Sequence, residues 1–144
     1  MKKLFLYITL LTIFPLMISG QNNGNLVSNC VVSTGPNTTY LKDYVIKLPK
    51  ATSKTSIPVV KENFPLSKGT NYRFTICNSE GSAGQLVITL YDRDQKIISS
   101  FNEKTGKIYN SVDFACNKTG TYTFHFSFTN GEQGMGVGVV SFVR

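Results

Sequence analysis

From Thr119 to Phe128 the chain reads Thr-Gly-Thr-Tyr-Thr-Phe-His-Phe-Ser-Phe, with aromatic and polar side chains alternating one for one from Tyr122 onward. A period of two is the pattern of a β-strand, whose successive side chains point to opposite faces of the sheet. Tyr122, Phe124, Phe126 and Phe128 therefore share one face, while Thr121, Thr123, His125 and Ser127 share the other. Four successive rings need a large apolar partner surface, so the rest of the chain is expected to supply a second sheet and the strands that complete the first.

The first twenty residues stand outside this pattern. Lys2 and Lys3 precede an apolar run, Leu4 to Ile18, that ends in Ser19 and Gly20 before the polar Gln21-Asn22-Asn23-Gly24. A short basic start, an apolar stretch and small residues at its end describe a secretory signal peptide cleaved near Gly20. The run is shorter than the roughly 20 residues a spanning helix needs, and Pro15 interrupts it. No later stretch is apolar for long enough to span, so the exported protein is expected not to cross a membrane. A lipid anchor is disfavoured because the first cysteine, Cys30, lies behind the Asn-rich stretch. Residues 21–144 then form one domain, large enough to bury a core.

The leader carries two of the 15 Lys and Arg, which leaves 13 against eight Asp and Glu, a net charge of +5. Lys42, Lys47, Lys50, Lys54, Lys61 and Lys68 are spread singly among apolar and polar residues. Such lysines are read as solvated groups on strand edges and loops, where they discourage edge-to-edge pairing, and nucleic acid is not expected as a partner. A weak attraction to anionic cell-surface polymers remains compatible with them.

After residue 20 no helical pattern of useful length stands out, whereas short runs rich in Val, Ile, Thr, Tyr and Phe recur between Gly, Asn, Ser and Pro clusters. The expected strands are Leu26 to Ser33, Tyr40 to Leu48, Ile57 to Phe64, Asn71 to Cys77, a run carrying Leu86, Ile88 and Leu90, Ile97 to Phe101, Ile108 to Cys116, Thr119 to Phe128 and Met135 to Val143. Pro58 argues for an edge or irregular strand. Asp92-Arg93-Asp94-Gln95-Lys96 reads as a tight hairpin turn. Eight or nine strands in one domain imply an all-β fold, a two-sheet antiparallel sandwich of jelly-roll type, with a closed barrel as the alternative. In the last strand Gly136 and Gly138 share a face with Val140 and Phe142, so bulky neighbours, or a ligand, are expected over the bare backbone.

Several segments, in order, resemble the bacterial pre-peptidase C-terminal domain, a small β-sandwich that often accompanies secreted peptidases. They are Phe64-Pro-Leu-Ser-Lys-Gly-Thr-Asn-Tyr-Arg-Phe74, Leu86-Val-Ile-Thr-Leu-Tyr-Asp92, Val112-Asp-Phe-Ala115 and Thr119-Gly-Thr-Tyr-Thr-Phe124. The resembling segments span residues 64–124, about half of the chain beyond the leader. It implies a jelly-roll-like fold and a non-catalytic accessory role.

Three cysteines in an exported chain leave one odd thiol whichever pair forms. Cys77 and Cys116 both close core strands, both are followed by Asn and both precede polar turns, so they are the expected pair. Their bridge would close a loop of about 40 residues, worth roughly 4 kcal/mol in chain entropy. Cys30 would then be a buried thiol or would pair with another chain. The alternative is three reduced cysteines buried as small apolar residues.

His125 is the only histidine, which removes most Ser-His-Asp, Cys-His and multi-histidine metal arrangements. No local sequence places a cysteine at a helix N-terminus as an activated nucleophile. Among the eight acidic residues, Asp92, Asp94 and Asp113 would have to supply any carboxylate pair for glycoside hydrolysis. Asp92 and Asp94 instead fit turn chemistry, hydrogen-bonding the local backbone, although two such carboxylates could contribute to a calcium site. Neither a cofactor nor a catalytic set is expected. Tyr91 and Tyr109 lie on the faces opposite the main apolar sets, and with Asp92 and Asp94 they form the candidate ligand surface. The sequence thus points to an exported, non-enzymatic accessory or protein-binding module of the periplasm, the outer cell surface or the medium. Its expected partner is another envelope or secreted protein; the alternative is a glycan.

Overall fold

The computed structural model describes residues 22–144, so the expected signal peptide, 1–20, lies outside the described residues. One helix, α1 (Asn22–Val32), precedes eight strands: β1 (Thr38–Leu48), β2 (Val60–Leu66), β3 (Asn71–Asn78), β4 (Leu86–Asp92), β5 (Gln95–Ser99), β6 (Ser111–Ala115), β7 (Gly120–Phe128) and β8 (Gly134–Val143). They make two four-stranded antiparallel sheets, which we call A (order β1-β8-β3-β6) and B (order β2-β7-β4-β5). The pairs are nested: β1 with β8, β2 with β7, β3 with β6 and β4 with β5. A long hairpin rolled up on itself gives this order, which is that of a jelly roll.

The alternation in β7 controls the packing. Tyr122, Phe124, Phe126 and Phe128 all face inward, and Phe124 and Phe126 are fully buried. Across the sandwich Phe74 of β3 meets Phe124 edge-on with ring centroids 4.9 Å apart, and Tyr44 of β1 meets Phe126 at 5.3 Å. Such tilted and edge-to-face contacts add to the stabilisation from burial itself. The bare face of β8 is filled from sheet B. A Cβ at Gly138 would lie 2.6 Å from Cε1 of Phe126, and one at Gly136 would lie 2.7 Å from the Cys77 carbonyl oxygen. Glycine is required there by close packing within the core.

The N-terminal run differs from the expected strand. Residues 22–32 form α1, because Leu26, Val27, Cys30 and Val31 recur at helical spacing and pack against Val137 and Val139 on the outer face of sheet A. The chain leaves the helix through Gly35, whose φ is +89°, a left-handed conformation that glycine adopts without penalty. Converting this run to helix brings the strand count to eight.

The disulfide is also different: Cys30 is bridged to Cys77, and Cys116 is a buried free thiol. Cys77 and Cys116 could not have paired. Antiparallel pairing of β3 with β6 sets Asn71 opposite Ala115, so Cys77 lies at the far end of the sheet from Cys116, some six residues or about 20 Å away. The two also point differently. Cys116 belongs to the inter-sheet core, whereas Cys77 joins Cys30 in the cluster beneath α1. Among the described residues no helix is long and apolar enough to cross a membrane.

Candidate functional site

The outer faces of the two sheets are unlike. That of sheet A presents Val137 and Val139 to α1, which covers that part of it. That of sheet B carries Lys61 and Asn63 from β2, Thr121, Thr123, His125 and Ser127 from β7, and Val87, Thr89 and Tyr91 from β4, because the inward places on these strands are taken by the apolar set.

On this face a groove of about 560 Å³ runs over β4, β5 and β7. Val87 is its buried apolar floor, Tyr91, Thr89, Ser99 and Ser127 stand along it, and Ile57, Phe101 and Ile108 from neighbouring segments wall it. Phe101 and Ile108 are joined by a β-bridge, which fixes that wall. Opposite hydroxyls on β4 and β5 form a short polar row, Thr89 Oγ1 and Ser99 Oγ lying 2.9 Å apart. Beneath them Ser100 is fully buried and its Oγ accepts the Ile88 N–H at 3.0 Å, holding the β5 end against β4. At the rim Lys96 Nζ donates to Glu103 Oε1 at 2.6 Å.

Tyr91 and His125 stack face to face on the outer side of sheet B, with ring centroids 4.2 Å apart and planes 30° apart. The pair spans β4 and β7 as overlapping rings, so one face of each is taken up by the other. Burial between its neighbours, and then the positive charge of Lys61 directly opposite it on β2, lower the pKa of His125 from its usual value, so the ring is neutral at neutral pH. His125 makes no hydrogen bond to a carboxylate among the described residues. Cys116, the free thiol, lies on the other side of sheet B in the core, where its Sγ contacts the Lys118 carbonyl at 3.2 Å.

The residues singled out from the sequence fall in three places. Tyr91 lines the groove. Tyr109 lines an adjoining depression of about 550 Å³ that shares Lys96, Ser99, Phe101 and Glu103 with it, and the Lys107 ammonium sits 4.7 Å above the Tyr109 ring. Asp92 and Asp94 occupy the β4–β5 turn, where Arg93 takes a φ of +54°. Asp92 accepts from Lys118 Nζ at 3.3 Å and lies 3.9 Å from Arg93 Nε, so its charge is shared with two cations. Among the described residues no group of three or more His, Cys, Asp or Glu could hold a metal ion. The partnership of Tyr91 with His125, and the Thr89 and Ser99 hydroxyls beside it, were not anticipated. Their signal lay in the polar faces of β4 and β7, which become one surface only once the β4–β7 register, Thr89 opposite His125, is known.

A second depression of about 590 Å³ lies at one end of the sandwich, between Lys47–Pro49, Ser79–Ala83 and Gln133–Met135. It is slightly larger and is lined by Leu48, Pro49 and Met135 together with Lys47, Glu80 and Gln133, but it has no aromatic ring. The groove on sheet B has the better mixture of rings and convergent polar groups. No protein-family model matches the chain, and no curated protein matches it.

Proposed function

We propose that the protein is an exported, non-catalytic binding module that holds a glycan chain along the outer face of sheet B. The observation that carries this reading is the Tyr91 ring, braced by its stack on His125, beside the Thr89–Ser99 hydroxyl pair in the groove on sheet B. A sugar ring has an apolar C–H face and a rim of hydroxyls. The Tyr91 ring suits the first, and side-chain hydroxyls that can both donate and accept suit the second. A non-catalytic role is favoured because the single histidine is stacked on a tyrosine and, among the described residues, makes no hydrogen bond to a carboxylate, thiol or hydroxyl. The resemblance to an accessory domain of secreted peptidases and the Cys30–Cys77 bridge favour an extracytoplasmic location. Affinity electrophoresis through gels containing soluble polysaccharides tests the reading. At least one polymer should retard the protein and Tyr91→Ala should abolish the retardation; migration unchanged by every polymer would remove the glycan reading.

The other reading, a module that binds an envelope or secreted protein, is favoured by β1. This strand is eleven residues long, lies at the edge of sheet A, and exposes Tyr40, Leu41 and Val45. A partner strand could add to that edge, although the bulge at Tyr40/Lys42 restricts where it would pair. A stoichiometric complex captured from the native envelope, and lost on Val45→Lys but kept on Tyr91→Ala, would select this reading over the first.

A further inference from the structure

The groove does not end at Tyr91. At Ile57, Asn130 and Gly131 it runs into a further depression of about 470 Å³ that adds Lys50, Ala51, Ser53 and Lys54, and at Lys96 and Glu103 it runs into the one that holds Tyr109. The charged side chains along this whole path are Lys50, Lys54, Lys96 and Lys104, against one carboxylate, Glu103. Lys61 adds a fifth ammonium group on the same face, beside His125.

Two of these lysines already have partners. Lys96 is paired with Glu103 at 2.6 Å, and Lys50 reaches Glu132 at 3.4 Å. Lys54, Lys61 and Lys104 have no carboxylate within 4 Å among the described residues. The path is therefore long, ring-bearing and positively charged, and its one lining carboxylate is neutralised. A neutral polymer would use the rings and hydroxyls and leave three ammonium groups unused.

Resting on the glycan reading above, we infer that the ligand of this groove is an acidic polysaccharide, whose carboxylate or sulfate groups meet Lys54 and Lys61 while an uncharged sugar face lies on Tyr91. Lys61 on β2 stands directly opposite His125, and Lys54, in the β1–β2 connection, lines the depression into which the groove runs, so a chain following the path meets a ring and ammonium groups. Like charges spaced along an extended ligand are matched best by a polymer with an acidic group at a regular repeat.

Binding of the purified protein is measured against polygalacturonate for carboxylates, carrageenan for sulfates and arabinoxylan as the neutral polymer. At least one acidic polymer should bind about fivefold or more tighter than arabinoxylan. Raising the salt from about 0.02 M to about 0.5 M, which shortens the screening length several-fold, should erase most of that advantage. The Lys54→Ala/Lys61→Ala pair should weaken the acidic polymer by about three- to tenfold, in keeping with exposed ion pairs, and leave arabinoxylan unchanged. Both lysines are exposed, so the double variant should keep the native circular dichroism spectrum. Tyr91→Ala should weaken all three polymers. Equal, salt-insensitive binding of arabinoxylan that the lysine variant does not alter would overturn the acidic preference and leave the glycan reading standing. Failure to bind any of the three would overturn both. Equal competition by a single-stranded thymidine oligonucleotide would overturn the inference in favour of an unselective polyanion surface.

Discussion

Cutting the Cys30–Cys77 bridge tests the account of how α1 is held to the sandwich. The two cysteines are 47 residues apart in sequence, and closing a loop of that length removes about 4 kcal/mol of chain entropy from the unfolded state. That is a large share of the roughly 5–15 kcal/mol that keeps an ordinary domain folded. The oxidised and reduced wild-type proteins are the cleanest comparison, since reduction keeps both sulfur atoms and creates no cavity at fully buried Cys30. The measurement is urea unfolding, followed by near-ultraviolet circular dichroism. With a slope near 2 kcal/mol per molar urea, typical for a chain of this size, the midpoint should fall by about 2 M on reduction. If α1 also leaves sheet A, Val137 and Val139 lose their cover, and each buried valine is worth about 1.5–3 kcal/mol, so the loss would exceed the entropic figure and a hydrophobic dye would bind before the main transition. Alkylation of the unfolded, unreduced protein should label Cys116 alone. A midpoint shift below about 0.5 M would refute the reasoning, because it would mean that the loop closed by the bridge is already constrained without it.

Gly138→Val should destabilise the protein by several kcal/mol, since the new side chain enters the space of the Phe126 ring in a fully buried layer. Thermal melting checks this, and Gly138→Val with Phe126→Leu should recover part of the loss; no recovery would show that the ring is not the obstacle. His125 should titrate below 6.5, followed by its ring proton resonances, and Lys61→Ala should move the midpoint upward by removing the nearby charge. Because the folded-state pKa is lowered, the unfolded chain takes up the proton first, so this histidine's contribution to stability is present above about pH 6.5 and is lost as the pH falls toward the folded-state value. A folded-state midpoint above 6.5 would contradict the packing of His125 described above.

The parts of the fold that could be read from the sequence are those where one residue period decides the face. In β7 the aromatic set and the polar set separate without ambiguity, and β3 and β4 repeat the pattern with Tyr72, Phe74 and Ile76, and with Leu86, Ile88 and Leu90, all buried as the alternation requires. The N-terminal run was harder to read, because its valines favour strands by propensity while its weak helical spacing gains meaning only from the valine face of β8 that it covers. The disulfide was misread for a related reason. Two cysteines at strand ends look equivalent in sequence, yet in an antiparallel pair like ends lie at opposite edges. Of the candidate ligand residues, Tyr91 could be found from its place on the polar face of β4. Its partner His125 could not, since that pairing depends on the β4–β7 register, which no local sequence specifies.

The two sheets then divide their labour along a line written in β7 and β8. Both are central strands with a buried inner face, yet the outward places of β8 include Val137 and Val139, whereas those of β7 are Thr121, Thr123, His125 and Ser127. An outward valine pair has to be covered, and α1 with its bridge to Cys77 covers it. Outward hydroxyls and an imidazole can remain in water at no such cost, so sheet B can stay open across its width. The outer face of sheet A is thus taken up in part by α1, while that of sheet B stays open through its own polar residues, and the two faces are expected to act independently. A variant in which Val137 and Val139 are both made Thr should tolerate reduction of the bridge with less dye binding than the wild type, while its groove on sheet B keeps the same affinity. Loss of groove binding in that variant would show that the two faces are coupled through the core rather than independent.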